Sequence, residues 1–168
     1  MVKLSTIFFI LAVVASAHGA QWNITVESES LFCTFLPNTP HQLIGDSETT
    51  AIPFCTTESP KAKGAKIFPT GFIQNKKFKR GKGFVQVTGS IDGTKYELFA
   101  DDEGGQYDAK APLHSTCVGY KYFVSLIEPK ENQFCIRCCN IKSKCRTDIS
   151  DQGCNVIVPP NGTYLHNA

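Results

Sequence analysis

The feature that most constrains this chain is a set of eight cysteines that follow an N-terminal secretion signal. Met1-Val2-Lys3 gives a positive start, an apolar run follows, and Ala15-Ser16-Ala17 forms a small-residue cleavage pattern. We therefore expect a signal peptide over 1–17, with Ala20 as an alternative cleavage position. The run is shorter than a membrane anchor requires, and no later stretch approaches that length. The mature chain, 18–168, is expected outside the cell as one domain without a membrane span.

The cysteines themselves predict disulfides rather than thiolate chemistry. An even number in an oxidising compartment favours structural bridges. The Cys135-x-x-Cys138 spacing also occurs in zinc and redox sites, but no second pair of this kind follows. We expect up to four disulfides and leave their pairing open, because eight cysteines allow 105 arrangements. Five of the eight lie between 135 and 154, which predicts a cross-linked C-terminal segment. The cysteines are Cys33, Cys55, Cys117, Cys135, Cys138, Cys139, Cys145 and Cys154.

Two glycosylation sequons agree with a secreted chain. They are Asn23-Ile24-Thr25 and Asn161-Gly162-Thr163. Asn23 and Asn161 are therefore candidate glycan sites in a eukaryotic host, although such triplets also occur by chance.

The apolar pattern predicts a mainly β fold. Two β-rich runs, 84–91 and 94–100, flank Asp92-Gly93, which is typical of a two-residue hairpin turn. The run 118–127 alternates its apolar residues on two faces and predicts a central strand. No mature stretch keeps a helical period with caps. We expect a single-domain, disulfide-stabilised β-sandwich or small closed barrel with long loops. Shorter strand candidates are 22–26, 31–36, 71–74, 134–137 and 156–158.

Charge is unevenly distributed, although the formal net charge is only +2. The stretch 76–82 carries a candidate basic patch, for which a solvated loop is the favoured interpretation. It could instead bind a polyanion, resemble a nuclear-import signal, or contain a dibasic processing site at Lys79-Arg80. The candidate residues are Lys76, Lys77, Lys79, Arg80 and Lys82.

No residue pattern predicts catalysis. The acidic stretch 101–108 lacks calcium-loop spacing, and no histidine shows metal-ligand spacing. We expect no catalytic residue, no metal and no cofactor. The alternative, a small polysaccharide hydrolase, would draw a carboxylate pair from Asp101, Asp102, Glu103 or Asp108. Four tyrosines could serve a carbohydrate surface, although their β-periodic positions favour core packing: Tyr96, Tyr107, Tyr120 and Tyr122.

Two segments in particular carry a resemblance to a known family, Gly104-Gly105-Gln106-Tyr107-Asp108 and Phe134-Cys135-Ile136-Arg137-Cys138-Cys139. Others between 22 and 160 are Cys33-x4-Asn38, Gly71-Phe72-Ile73, Gln86-Val87-Thr88-Gly89, Cys117-Val118-Gly119-Tyr120, Leu126-Ile127-Glu128-Pro129 and Gly153-Cys154. With them the chain resembles small secreted cysteine-rich proteins of fungi. It is also similar to secreted proteins that strigolactone induces in arbuscular mycorrhizal fungi. The resemblance implies an extracellular, effector-like role and supplies no catalytic residues.

We therefore expect a secreted, non-enzymatic protein that binds a target at the interface between fungus and plant. Entry into host cells is an additional hypothesis. The sequence does not identify the target, which we expect to be a host or cell-wall protein or polysaccharide; nucleic acid is not the expected partner. A cell-wall carbohydrate binder and a protease inhibitor are alternatives of the same class. The polysaccharide hydrolase is the alternative from a different class.

Overall fold

The computed structural model describes residues 22–163, so the predicted signal peptide lies outside the described part of the chain. Ten strands are present: β1 (Asn23–Ile24), β2 (Cys33–Leu36), β3 (Ile52–Cys55), β4 (Lys66–Ile67), β5 (Ile73–Gly81), β6 (Phe84–Ile91), β7 (Gly105–Asp108), β8 (Thr116–Cys117), β9 (Tyr122–Glu128) and β10 (Gln133–Cys139). One short helix, α1 (Cys154–Ile157), follows them. Turns of 3₁₀ helix occupy Gly45–Ser47, Gly93–Tyr96, Lys142–Lys144 and Ser150–Gln152.

None of the helices within 22–163 has the length and apolar character that a bilayer crossing requires.

A five-stranded antiparallel sheet organises the fold, with the strand order β5-β6-β10-β9-β7. The predicted central strand is confirmed in its main part, because β9 lies between β10 and β7. Its alternation is also confirmed. Phe123 and Ile127 join the larger buried cluster, whereas Val124 and Leu126 join a smaller one. We call the side with the larger cluster the front face and the other side the back face.

The predicted hairpin around Asp92-Gly93 is wrong. The Asp92 carboxylate accepts hydrogen bonds from the backbone N–H (3.1 Å) and the hydroxyl of Thr94, and it begins a 3₁₀ turn instead of a strand reversal. β6 forms its hairpin with β5, across Lys82-Gly83. Gly83 has φ +79°, a conformation that glycine adopts at little cost.

The front face is covered by a second sheet of three strands, in the order β2-β3-β4. Aromatic rings join the two sheets: Phe32 stacks on Phe134 with centroids 5.5 Å apart, and Phe35 on Phe123 at 5.8 Å. The prediction of a mainly β, disulfide-stabilised fold is confirmed, with two sheets packed together. The closed-barrel alternative is wrong, because within 22–163 the strands form separate sheets, the third being the parallel pair β1-β8.

All eight cysteines are joined in four disulfides, with no free thiol among them. The pairs are Cys33–Cys55, Cys117–Cys138, Cys135–Cys154 and Cys139–Cys145. The last two join β10 to the C-terminal segment, 140–163, which packs on the back face. The strand candidate 156–158 is wrong, because the backbone N–H of Val158 donates to the Cys154 carbonyl (2.8 Å) in a helical turn.

Candidate functional site

The candidate basic patch lies mainly on strand β5 and not on a loop, so the favoured sequence interpretation is wrong for most of it. Among the described strands, β5 has one neighbour, β6, and forms an edge of the sheet. Charged side chains on an edge oppose unwanted pairing with another chain. Because successive side chains of a strand point to opposite faces of the sheet, the patch is divided between the two faces. Lys77 and Lys79 lie on the back face, opposite Thr88 and Gln86, whereas Lys76 lies on the front face.

A cleft of about 890 Å³ opens on the back face, between the β5–β6 end of the sheet and the C-terminal segment. None of the described residues that line it is acidic. Two members of the candidate basic patch belong to it, and Lys76, Lys77 and Arg80 lie outside its lining. We call it the cationic cleft, after its five basic residues Lys79, Lys82, Arg137, Lys144 and Arg146.

Arg137 lies at the base of the cationic cleft and is 0% exposed. Its Nε (2.9 Å) and Nη2 both donate to Oε1 of Gln86. Its Nη1 donates to the Lys144 carbonyl at 3.3 Å, and its guanidinium carbon lies 4.5 Å from the centroid of the Phe84 ring. Hydrogen bonds and an aromatic face offset part of the desolvation cost of a buried charge. The contacts fix the guanidinium in one orientation.

Phe84 forms an apolar floor beside Arg137, and two glycines leave room for it. A Cβ atom at Gly81 would lie 2.2 Å from the Phe84 ring. A Cβ atom at Gly162, where φ is +78°, would lie 3.0 Å from the same ring and 2.9 Å from Cε of Lys79. Larger residues at either position would displace the ring or the lysine, so the shape of the cleft depends on both glycines.

The basic side chains at the rim are positioned by backbone carbonyls. Lys79 Nζ donates to the Asn161 carbonyl, and Lys144 Nζ donates to the Lys82 carbonyl at 2.7 Å. Arg146 forms an ion pair with Asp148, with 2.7 Å between Nε and Oδ1. Asp148 is not part of the lining. The cleft therefore gathers positive charge from β5, β10 and the C-terminal segment.

Two disulfides hold the wall of the cationic cleft that the C-terminal segment forms. Cys135 and Cys139 lie on the back face of β10, on either side of Arg137, because alternate residues of a strand share a face. They bond to Cys154 and Cys145, respectively. The buried apolar cluster beneath this segment has only nine residues. Covalent bonds, worth about 2–4 kcal/mol each, therefore replace a large core on this side.

The sequence did not reveal Arg137, Lys144 and Arg146 as members of a site. They are separated from the basic patch by more than fifty residues of chain. The pairing of β10 with β6 brings Arg137 beside the patch, and the C-terminal segment that two disulfides hold brings Lys144 and Arg146. One clue was present. In the Cys135-Ile136-Arg137-Cys138-Cys139 segment, strand alternation places Arg137 between two cysteines on one face.

The acidic stretch 101–108 has structural contacts. Asp102 is buried, and its carboxylate accepts the backbone N–H groups of Ile44 and Gly104, each at 2.8 Å. Glu103 pairs with Lys130. The other candidate, Asp108, accepts the backbone N–H of Lys110 (2.7 Å) and Nε2 of Gln106 (3.3 Å), whereas Asp101 is exposed. Within 22–163 no group of three or more possible metal ligands is gathered.

The candidate tyrosines separate into two pairs. Tyr96 and Tyr107 are buried, and their hydroxyls bond to the Pro37 carbonyl and the Ser47 hydroxyl, each at 2.7 Å. Burial raises the pKa of Tyr107 far above its ordinary value. Core packing is therefore the role of these two. Tyr120 is half-buried and Tyr122 is exposed, and neither lines the cationic cleft.

The two sequons have different surroundings. Asn23 lies half-buried on β1, and its Oδ1 accepts a hydrogen bond from the Thr116 hydroxyl at 2.7 Å. Asn161 is exposed at the rim of the cationic cleft. A glycan on Asn161 would stand beside the cleft entrance. Of the histidines, His41 and His114 are exposed outside the cleft, whereas His18 and His166 lie outside the described residues.

The fold and the cleft together define a class, a cysteine-rich β domain with four disulfides and a cationic cleft on one face of its main sheet. No protein-family model matches the chain. No solved structure matches it either.

The chain is similar to two fungal proteins of Mycosarcoma maydis. It is 28% identical over 149 residues to Appressorium protein ROW1, and this match covers 77% of this chain and 34% of that protein. It is 33% identical over 88 residues to Appressorium protein ROW2, and this match covers 51% of this chain and 29% of that protein. The chain thus spans about a third of the length of the curated relatives it matches. The expected likeness to fungal proteins is supported by these matches.

Proposed function

We propose that this chain is a secreted, effector-like protein that acts by binding, without catalysis, where a fungus contacts a plant. The observation that carries the proposal is the cationic cleft, whose charged base is fixed by Gln86 and whose wall is fixed by two disulfides. A rigid, charged cavity of this size suits recognition of a ligand. The finer proposal is that the fungus lives in symbiosis with roots.

Two further observations support a role outside the cell. Four disulfides with no free cysteine are typical of proteins that function in an oxidising compartment. The similar proteins carry the name of the appressorium, the fungal cell that penetrates a host surface. Entry into host cells is a further proposal, for which the basic residues of β5 are the candidate address.

The proposal is tested by localising the tagged mature protein while the fungus grows with a plant root. Medium, wall fraction, host cytoplasm and host nuclei are separated and probed. We expect the protein in the medium, in the wall fraction or inside host cells. Retention of all the protein inside fungal cells would contradict the proposal.

The absence of catalysis is tested on the purified protein with a panel of plant and fungal polysaccharides. Three of the four candidate carboxylates already have structural partners: Asp102, Glu103 and Asp108. We expect no turnover of any substrate. Turnover that Asp101→Asn or Asp108→Asn abolishes would replace the binding proposal with a hydrolase.

A further inference from the structure

The lining of the cationic cleft combines two kinds of chemistry. Basic side chains surround it, and neutral hydroxyl and amide groups stand between them, from Ser143, Gln152, Asn161 and Thr163. Charged donors such as the lysine ammonium groups recognise carboxylates through charge-assisted hydrogen bonds. Amides and hydroxyls both donate and accept hydrogen bonds, as the hydroxyl groups of a sugar require. The mixture fits a ligand that carries anions and many hydroxyls.

The size of the cleft favours a ligand larger than a single small anion. Its volume of about 890 Å³ lies within the range of about 300–1,000 Å³ that holds whole organic ligands. One phosphate or sulfate would fill only a small part of it. The ligand therefore extends over several of the basic side chains.

Two other kinds of anionic polymer fit the cleft less well. Single-stranded nucleic acid needs exposed aromatic rings on which bases stack, whereas the one described aromatic residue in the lining, Phe84, is 7% exposed and its ring faces Arg137 and Lys144. A membrane surface is broad, and its headgroups attract basic residues that project outward. Here the cations line a concavity, and Arg137 lies at its buried base.

We propose that the cationic cleft binds an acidic polysaccharide, with uronate carboxylates held by Lys79, Lys144 and the neighbouring basic side chains. The inference rests on the proposed function, since it names the ligand class of the same cleft. Polyuronates are the anionic polymers of plant cell walls, so the proposed location supplies the ligand.

The test measures the affinity of the secreted protein for a short oligogalacturonate and for the same chain with every carboxylate methyl-esterified. The variant Lys79→Gln/Lys144→Gln removes two charges from the cleft. The matched control, Lys76→Gln/Lys77→Gln, removes two charges from β5 outside the cleft. A single-stranded oligonucleotide and phosphatidylserine vesicles are the competing probes. Melting temperatures of all three proteins verify that they are folded.

We expect the acidic chain to bind and the esterified chain not to bind, with an affinity that falls as salt is raised. The cleft variant should lose about tenfold or more in affinity, as expected for lost charge-assisted contacts, and the control about twofold or less. Equal binding of both chains, equal losses in both variants, or preference for the oligonucleotide or vesicles would overturn the inference. Failure to bind any probe would overturn it too, while the proposed function would still stand on the localisation result.

Discussion

The two faces of the five-stranded sheet are held in different ways. The front face packs against a second sheet through stacked aromatic rings, in a cluster of 25 buried residues. The back face carries a cluster of nine, which it shares with a segment whose regular structure is two 3₁₀ turns and the short α1. Two of the four disulfides hold that segment, Cys135–Cys154 and Cys139–Cys145. Apolar burial therefore contributes more on the front, which also contains the Cys33–Cys55 and Cys117–Cys138 bonds, whereas the back has a smaller core and depends more on its two bonds.

This difference explains where charge can be placed. A large apolar core accepts a buried charge only at high cost. On the back face, cross-links replace part of the apolar burial, and Arg137 can lie buried among Gln86, Phe84 and a backbone carbonyl. The cationic cleft is thus found on the side that does not depend on a large core.

The largest effect is expected from the front face. Phe134→Ala removes a ring that is 1% exposed and stacks on Phe32, so it should cost about 3–5 kcal/mol of unfolding free energy. Chemical denaturation measures the loss. Phe99, which is 39% exposed, provides the matched control. If Phe99→Ala costs as much as Phe134→Ala, the front face is not held by its aromatic core.

The next effect concerns the back face. Replacing Cys135 and Cys154 together by alanine should cost about 3 kcal/mol, because that bond spans 19 positions. Removing the Cys139–Cys145 bond, which spans 6, should cost about 2 kcal/mol. Hydrogen exchange should show the C-terminal segment opening while the front face stays protected. Equal loss of protection on both faces would mean that the segment does not unfold separately.

A smaller effect is expected at the base of the cleft. Gln86→Leu removes the oxygen that accepts from Nε and Nη2 of Arg137, which should cost about 1–3 kcal/mol. Gln86→Glu keeps the acceptor and should recover part of the loss, although it cannot donate to the Pro159 carbonyl as Gln86 Nε2 does at 2.9 Å. Thermal denaturation compares the two. Equal destabilisation by leucine and glutamate would show that the Arg137 contact is not what stabilises this position.

The smallest effect is pH-dependent. Burial raises the pKa of Glu128 above its ordinary value of 4.5, against a hydrogen bond from the Cys154 backbone N–H that lowers it. The folded protein therefore favours the protonated carboxyl, which adds to its stability. This added stability is present below the ordinary pKa and is lost as the pH rises through the raised pKa. Glu128→Gln cannot ionise and should be slightly more stable than the parent protein at neutral pH but not at pH 4.

The control for this titration is Glu29→Gln, at an exposed position that does not contribute to the raised pKa of Glu128. Denaturation curves at several pH values are compared for the three proteins. If Glu29→Gln changes the pH dependence as much as Glu128→Gln does, the buried carboxylate is not its source.

The sequence predicted the β character and the strand β9, because alternating Phe123, Val124, Leu126 and Ile127 require two buried faces. It also predicted that every cysteine is bonded. The hairpin prediction failed at Asp92-Gly93, where the side chain of Asp92 accepts hydrogen bonds from Thr94 and begins a 3₁₀ turn. The sequence also failed to predict β5, because lysines have low strand propensity and only the pairing with β6 makes that segment extended.

The cationic cleft was less predictable than the fold. The lysines of 76–82 were visible in the sequence, but side chains alternate between the two faces along β5, so only some of these lysines line the cleft. Arg137 reaches the cleft through the pairing of β10 with β6, and Lys144 and Arg146 through the segment that the Cys135–Cys154 and Cys139–Cys145 bonds hold. Cysteine spacing alone does not determine such pairings, so the site follows from the tertiary structure.

The central claim is that the back face, with its cationic cleft, is the binding face. The most direct test is an NMR titration of the isotope-labelled protein with the short oligogalacturonate, following every backbone amide. We expect shifts concentrated at Lys79, Arg137, Lys144 and Gly162, with the three-stranded sheet unchanged. Shifts concentrated on β2 and β3, or no shifts at saturating ligand, would contradict it.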